Sequence, residues 1–464
     1  MAESITNHPA LNISNANANY PASNVANYLP MLLKEVEITS KDIALKRTCL
    51  KELDAILKSL SSNWKVRPFG SAANGFSTRF SDLDATCFEE VASGKIASDH
   101  IAGVRPLLEQ HSSFEIVEVV SAARIPIIKL RYQDILDVDL SFQNIEPLPN
   151  TQLLRAYAQL SSMIPYLGVL IKLWANAEGV CGAQHGHLSS YSLTLMVLYY
   201  MQVDIYVKMP CFPTWEFTGQ KRLPDCANVH WQCPLQLHAL VSRFFEFYAT
   251  SHCWGYEVVS PRVGERFYAN DSCFASLSGR DNTSMLHIED PFLLTRNLNC
   301  VLGPTQQDLL YRKFCEAHAD LESGKIPRGF IMALETHKAK NIERPIQLEN
   351  GAVEQTSSTN RDEKPAMQKG SQERTQNGAR ANAMSEAVEI RRDGRRDVTA
   401  KQSAAPQRKQ KISNKSIAPT PEDMPSTDLF NQPFSAAPTI DDRPKTLEEY
   451  IKDTEIADGF TWSL

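Results

Sequence analysis

Two aspartates one residue apart, Asp82 and Asp84, follow a Gly70-Ser71 pair in the run Phe-Gly-Ser-Ala-Ala-Asn-Gly-Phe-Ser-Thr-Arg-Phe-Ser-Asp-Leu-Asp of residues 69–84. Side chains two apart on a strand share a face, so these carboxylates project together. They repel one another unless a cation lies between them. Magnesium favours carboxylate oxygens together with substrate phosphates. Two such ions, about 3.5–4 Å apart, activate an attacking hydroxyl and neutralise a leaving pyrophosphate. Gly70 lets the backbone approach a phosphate closely, and the Ser71 hydroxyl adds a donor. Ala72-Ala73-Asn74 can open a helix whose free N–H groups favour an anion. Alone, an Asp-x-Asp is usually a solvated strand end, and a Gly-Ser is usually a turn. In this order and on these elements they point to metal-dependent phosphoryl chemistry.

The elements that must hold these residues are legible nearby. Trp64 to Phe69 reads as a short strand ending at the Gly-Ser turn, and Asp82 to Phe88 alternates as a second. Residues 115–120 and 125–132 read as further strands, followed by Ile135-Leu136-Asp137-Val138-Asp139-Leu140-Ser141-Phe142. An acid between Val138 and Leu140 on a buried strand is costly without a partner, and a metal supplies one. Asp137 and Asp139 share a face, so the pattern does not choose between them. Upstream, Val25 to Val36 and Lys41 to Leu60 have helical patterns. The second carries an apolar stripe at Ile43, Leu45, Cys49, Leu50, Leu53, Ile56, Leu57 and Leu60.

With these residues in place, the chain resembles the template-independent RNA nucleotidyltransferases of the DNA polymerase β superfamily, the terminal uridylyltransferases and cytoplasmic-type poly(A) polymerases. Asp139-Leu140-Ser141-Phe142 matches the family's later acid, so the resemblance selects Asp139 over Asp137. Asn150-Thr151 resembles the segment that reaches the ribose. Leu170 to Ala175 resembles the helix whose lysine, here Lys172, meets the triphosphate. Leu188-Ser189-Ser190-Tyr191 resembles the segment whose tyrosine stacks on the base, and Ile288-Glu289-Asp290-Pro291-Phe292 matches the signature near the end of the second domain. Each match has an ordinary alternative: Lys172 a helix-face lysine, Tyr191 a core aromatic, Asn150 a turn after Pro149.

The resemblance implies an α+β fold. A nucleotidyltransferase palm, a mixed sheet with helices over 62–145, would be inserted into a mostly helical PAP-associated domain over 150–335. Helices over 25–61 would lead into the palm and pack partly on the second domain. Asp82, Asp84 and Asp139 would be catalytic and would bind Mg2+ or Mn2+. Gly70, Ser71, Asn150, Lys172, Ser190, Tyr191, Asp290 and Arg296 would bind the nucleotide. Partners would be an RNA 3′ end and UTP or ATP, with uridylate addition favoured by the length of the loop after Asp290. Poly(A) synthesis from ATP and a catalytically inactive RNA-binding relative are the alternatives. Two departures stand out. A second lysine one turn after the first is replaced by Asn176. The loop's acid and histidine positions hold Leu293 and Arg296. Arg296 either donates to a uracil carbonyl or replaces the charge missing at Asn176; the ordinary alternative is a surface arginine.

Composition bounds the rest. The 464 residues carry a net charge of −6, so RNA binding must be local rather than global. Arg124 and Lys129 are candidate primer contacts. Ten cysteines without a Cys-x-x-Cys pair argue against structural zinc and for a reducing compartment. A cytoplasmic location is expected, with the nucleus as a second address. His185-Gly186-His187 reads as a loop. No apolar window spans a membrane. Residues 1–24 read as disordered, and so does 340–445, where the only aromatics are Phe430 and Phe434 between Asn341 and Lys445. A basic stretch around Arg391, Arg395 and Arg408 suits RNA phosphates, a nuclear signal or a solvated linker. Residues 446–464, opening on a capping-box pattern at Thr446-Leu447-Glu448-Glu449, admit a short helix that docks on a protein partner.

Overall fold

The computed structural model describes residues 24–89, 97–121, 123, 125–218, 229–270, 274 and 285–342. Most of the N-terminal segment, Arg124, the basic stretch and the 446–464 segment lie outside the described residues.

Two helices open the described chain, and they serve different cores. Helix α1 (Val25–Val36) buries Val25, Leu29, Leu32 and Val36, one face at helical spacing. This face joins the core of the helical domain, with Leu170, Phe244 and Phe330 among its members. Helix α2 (Ser40–Leu60) starts with a capping box: Asp42 N–H donates to Thr39 Oγ1 at 3.2 Å, and Thr39 N–H donates to the Asp42 carboxylate at 2.9 Å. Its buried face is Asp42, Lys46, Cys49, Leu53, Ile56 and Leu57. Ile43, Leu45 and Leu50 are half-buried and Leu60 is 45% exposed, so the inward stripe is rotated from the apolar positions alone. The reason is that a charged pair, Asp42 and Lys46, occupies the inner face near the catalytic strands. Cys49, Leu53 and Leu57 pack into the palm core with Trp64, Leu83 and Leu140.

The palm is a five-stranded mixed sheet. Its strands are β1 (Trp64–Pro68), β2 (Leu83–Glu89), β3 (Phe114–Val120), β4 (Ile127–Tyr132) and β5 (Leu136–Phe142), in the order β1-β2-β5-β4-β3. A four-residue helix α3 (Ser71–Asn74) joins β1 to the loop before β2, and α4 (Ala97–Gln110) packs on the sheet. β2 and β5 are parallel neighbours; every other pairing in the sheet is antiparallel. The β4–β5 hairpin turns through Gln133 (φ 49°) and Asp134 (φ 58°), left-handed conformations that suit a tight hairpin. That turn fixes the register opposing Lys129 to Asp139 and Arg131 to Asp137.

The second domain is mostly helical: α5 (Pro147–Leu160), α6 (Met163–Ala177), α7 (Ser190–Val203), α8 (Leu237–Glu246), α9 (Pro304–Glu322) and α10 (328–342). A two-stranded parallel ribbon, β6 (Val258–Val259) with β7 (His287–Ile288), carries the loop that follows. α10 runs past 335 to residue 342, into the stretch read as a linker. Its Phe330, Ala333 and Leu334 are buried, and beyond 335 it is held by the His337 ring against Phe80 and by Asn341 donating to Glu35.

Candidate active site

The parallel pairing of β2 with β5 sets Asp84 directly opposite Asp139. Asp82 is the residue before β2 begins, so all three acids gather at one end of two adjacent strands. Asp137 is drawn elsewhere: it forms an ion pair with Arg131 at 2.7 Å and is 54% exposed. The register therefore separates the two acids that the pattern left equivalent.

Gly70 closes the site from the other side. Its φ is +61°, and a Cβ there would lie 2.6 Å from Asp84 Oδ2. Both the backbone conformation and the contact demand glycine. The preceding residue is fixed as well, because Phe69 N–H donates to the Asp84 carbonyl at 3.0 Å. Gly70 N–H donates to Thr151 Oγ1 at 3.0 Å, and that hydroxyl donates to the Pro147 carbonyl at 2.8 Å. A residue at the start of the helical domain thus braces the Gly-Ser turn of the palm. Ser71 opens α3 and is half-buried.

The electrostatics are those of crowded acids. Burial, then the charges of Asp139 and Asp82, push the Asp84 carboxyl up to about 7. Asp139 is raised by burial and by Asp82, with Lys129 opposing. Asp82 is exposed at its surface; partial desolvation and the charge of Asp137 raise it, while Lys172, Lys46 and Lys340 pull it down. Lys172, half-buried on α6, opposes the rise at both Asp82 and Asp84, so its charge reaches the acids. Among the described residues no three His, Cys, Asp or Glu side chains converge into a metal-binding group. The donor chemistry nevertheless fits a hard divalent cation, because three mutually repelling carboxylates share one end of the sheet.

A second cluster lies around the Asp290 loop. Asp290 is buried, and its Oδ1 accepts from the N–H groups of Phe292 and Leu293 at 3.0 and 3.1 Å. Arg296, 39% exposed, holds its guanidinium 3.9 Å from the Asp290 carboxylate. Tyr191, in the first turn of α7, is influenced by both charges. It is half-buried against the helical core, and its hydroxyl is buried and has no hydrogen-bond partner. Ser190 begins α7; its carbonyl accepts from Thr194 Oγ1 at 2.9 Å, and Ser189 is the residue that caps the helix. Asn150 sits in the first turn of α5, and its Oδ1 is likewise buried and unpartnered. Arg296 is thus grouped with Tyr191 and Asp290, while Lys172, Lys46 and Lys340 are the cations that act on Asp82.

Three contributors were not anticipated. Thr151 braces Gly70. Lys46 is 3% exposed; its Nζ donates to Ser77 Oγ at 3.3 Å and reaches the Asp82 carbonyl at 3.5 Å. Burial lowers it to about 8 against the pull of Asp82, Asp42 and Asp84. Asp42 and Lys46, four apart among the apolar residues of one helix, were the signal available for it. Lys340 comes from α10. His185 and His187 belong to a short 3-10 turn and the loop after it, and all described cysteines are free thiols.

A family model described as the central palm domain of a mitochondrial-like poly(A) RNA polymerase matches residues 26–159, and one described as Cid1 family poly A polymerase matches 236–296. The poly(A) RNA polymerase GLD2 of Danio rerio is 30% identical over 330 residues, covering 67% of this chain and 64% of that protein. GLD2-A of Xenopus laevis is 28% identical over 61% of this chain and 57% of its own length. The match therefore spans less than two thirds of these relatives. A solved structure of a cytoplasmic RNA terminal U-transferase aligns with TM-score 0.55 and 25% identity, over 67% of this chain and 97% of that one. A structure of the Cid1 poly(U) polymerase aligns with TM-score 0.55 and 26% identity, over 68% and 99%.

Proposed function

The chain belongs to the template-independent RNA nucleotidyltransferases of the DNA polymerase β superfamily, and from that premise we propose that it adds ribonucleotides, uridylates first, to RNA 3′ ends. The observation that carries the reaction is the opposition of Asp84 and Asp139 on parallel strands, with Asp82 alongside and Gly70 packed on Asp84. Asp82, Asp84 and Asp139 would hold Mg2+ or Mn2+. When bound, such cations lower the pKa of the attacking hydroxyl and neutralise the departing pyrophosphate.

The chain's own residues orient the rest. The RNA 3′-oxygen forms a bond to the α-phosphorus while the bond from that phosphorus to the bridging oxygen of pyrophosphate breaks. Asp139 takes the hydroxyl proton or holds it for transfer. Gly70, through its close approach, and the Ser71 hydroxyl line the phosphates, with Lys172 as a point charge on them. The half-buried Tyr191 would stack its ring on the base, a contact worth about 1–3 kcal/mol. The Asn150 carboxamide oxygen is an acceptor for a ribose hydroxyl.

Uridylate is favoured by Arg296. Arginine only donates. Uracil presents the same O4 acceptor as thymine, whereas adenine presents an amino donor there. Asp290, the acceptor beside it, has Oδ1 engaged by two backbone N–H groups and Oδ2 turned toward Arg296. Adenylate is the second reading, favoured by the poly(A) RNA polymerases among the relatives. Offering the full chain a labelled RNA and each nucleoside triphosphate separately, without template, tests both. Extension with UTP well ahead of ATP supports the first reading, and the reverse order supports the second. A cytoplasmic location and a protein partner for residues 446–464 are part of the same proposal.

A further inference from the structure

Helix α6 supplies one lysine to the site, Lys172, and has the neutral Asn176 a turn later. A further cation that acts on Asp82 comes from another element, α10. α10 is anchored by buried Phe330, Ala333 and Leu334, and its end is pinned to α1: Asn341 Nδ2 donates to the Glu35 carbonyl at 2.9 Å and to the Glu35 carboxylate at 2.8 Å. The loop before the acids is pinned to α1 too, through Arg79 N–H to the Val36 carbonyl at 3.0 Å. Between these anchors the Phe80 ring lies 5.2 Å from that of His337, and Lys340 Nζ stands 5.7 Å from the Phe80 ring centroid. Phe80 is two residues from Asp82. Lys340 is exposed and, among the described residues, forms no ion pair.

We propose that Lys340 binds phosphate in this active site, as a cation supplied by α10 in addition to Lys172 of α6. Its exposed ammonium lies over the ring of Phe80, two residues before Asp82, where an incoming polyanion can meet it. The ligand chemistry is a phosphate oxyanion. The β- and γ-phosphates of the nucleotide are the source that Lys172 and Asp82 indicate, and the RNA backbone is the other source. The inference rests on the nucleotidyl-transfer reading for its substrates, but it is tested by binding as well as turnover.

The experiment compares the full chain with Lys340→Ala and Lys340→Arg. It measures equilibrium binding of UTP and ATP, of inorganic pyrophosphate, and of a labelled single-stranded RNA with a free 3′-hydroxyl, together with KM for the nucleotide. An exposed lysine is removable without unfolding the chain, and a thermal melt checks this. The expected result is nucleotide and pyrophosphate binding weaker by about three- to tenfold in Lys340→Ala, RNA binding unchanged, and recovery in Lys340→Arg. Weaker RNA binding with a salt slope reduced by about one, and unchanged nucleotide binding, assigns Lys340 to the RNA backbone instead. Unchanged binding of all three probes overturns the proposal. A wild-type chain that binds these probes but extends no RNA refutes the transfer reading, and the Lys340 comparison is then decided by the binding data.

Discussion

Asp84 carries the heaviest electrostatic load of any residue in the site. It is held at about 7 by burial and by two neighbouring acids, and its carboxylate fills the space that a Cβ at position 70 would need. With a chelator present, the unfolded carboxyl gives up its proton near 4 and the folded one keeps it up to about 7. Unfolding in that window releases a proton, so stability declines as pH rises from 4 to 7. Chemical denaturation across that range should show the decline in the wild type and a flatter profile in Asp84→Asn. The same variant should lose transfer by about 10³-fold or more in primer extension while melting no lower. Arg296→Ala is expected to narrow the ratio of UTP to ATP incorporation about tenfold with little change in melting temperature; an unaltered ratio removes Arg296 from base selection. Spacing alone named Asp82 and Asp84, because two residues on a strand share a face. It did not separate Asp137 from Asp139, since that distinction is made by Arg131 across the hairpin. Nor could spacing weigh the two roles of Arg296, which depend on where the Asp290 loop folds back.

At the scale of elements, the site is assembled by contacts between segments far apart in the chain. Thr151 of α5 accepts from Gly70, and Lys46 of α2 ties Ser77 to the carbonyl of Asp82. Thr151→Val keeps the shape but leaves the Gly70 N–H without its acceptor. It should cost about 1–2 kcal/mol of stability in denaturant titration and raise KM for the nucleotide. A KM unchanged at that cost would mean that the brace serves folding alone. α1, β1 and β4 were readable because their apolar periods match their burial, whereas β3 leaves Val117 exposed and β2 is buried almost throughout. α2 was readable as a helix but not in its facing. Counting only apolar residues put Ile43, Leu45 and Leu60 inward, whereas the fold turns Asp42 and Lys46 inward because acids at the strand ends compensate a buried lysine.

Over the whole described molecule, the palm lies between α1 in sequence and the helical domain that α1 helps to pack, as the insertion pattern implies. The far end of that domain extends further than composition suggested. Polar residues dominate from about 340, but Phe330 and Leu334 commit α10 to the core, and burying such side chains contributes about 1.5–3 kcal/mol each. A chain ending at Ile342 should therefore fold and extend RNA, and one ending at Pro327 should melt markedly lower, as read by circular dichroism. Equal melting of the two would deny α10 its place in the domain. The most direct test of the central claim is untemplated extension of a labelled RNA by the full chain, beside its Asp139→Asn variant, with each nucleoside triphosphate supplied singly. The account predicts extension by the wild type, greatest with UTP, and none by the variant; extension that persists in Asp139→Asn, or a folded wild type inert with every nucleotide, would contradict it.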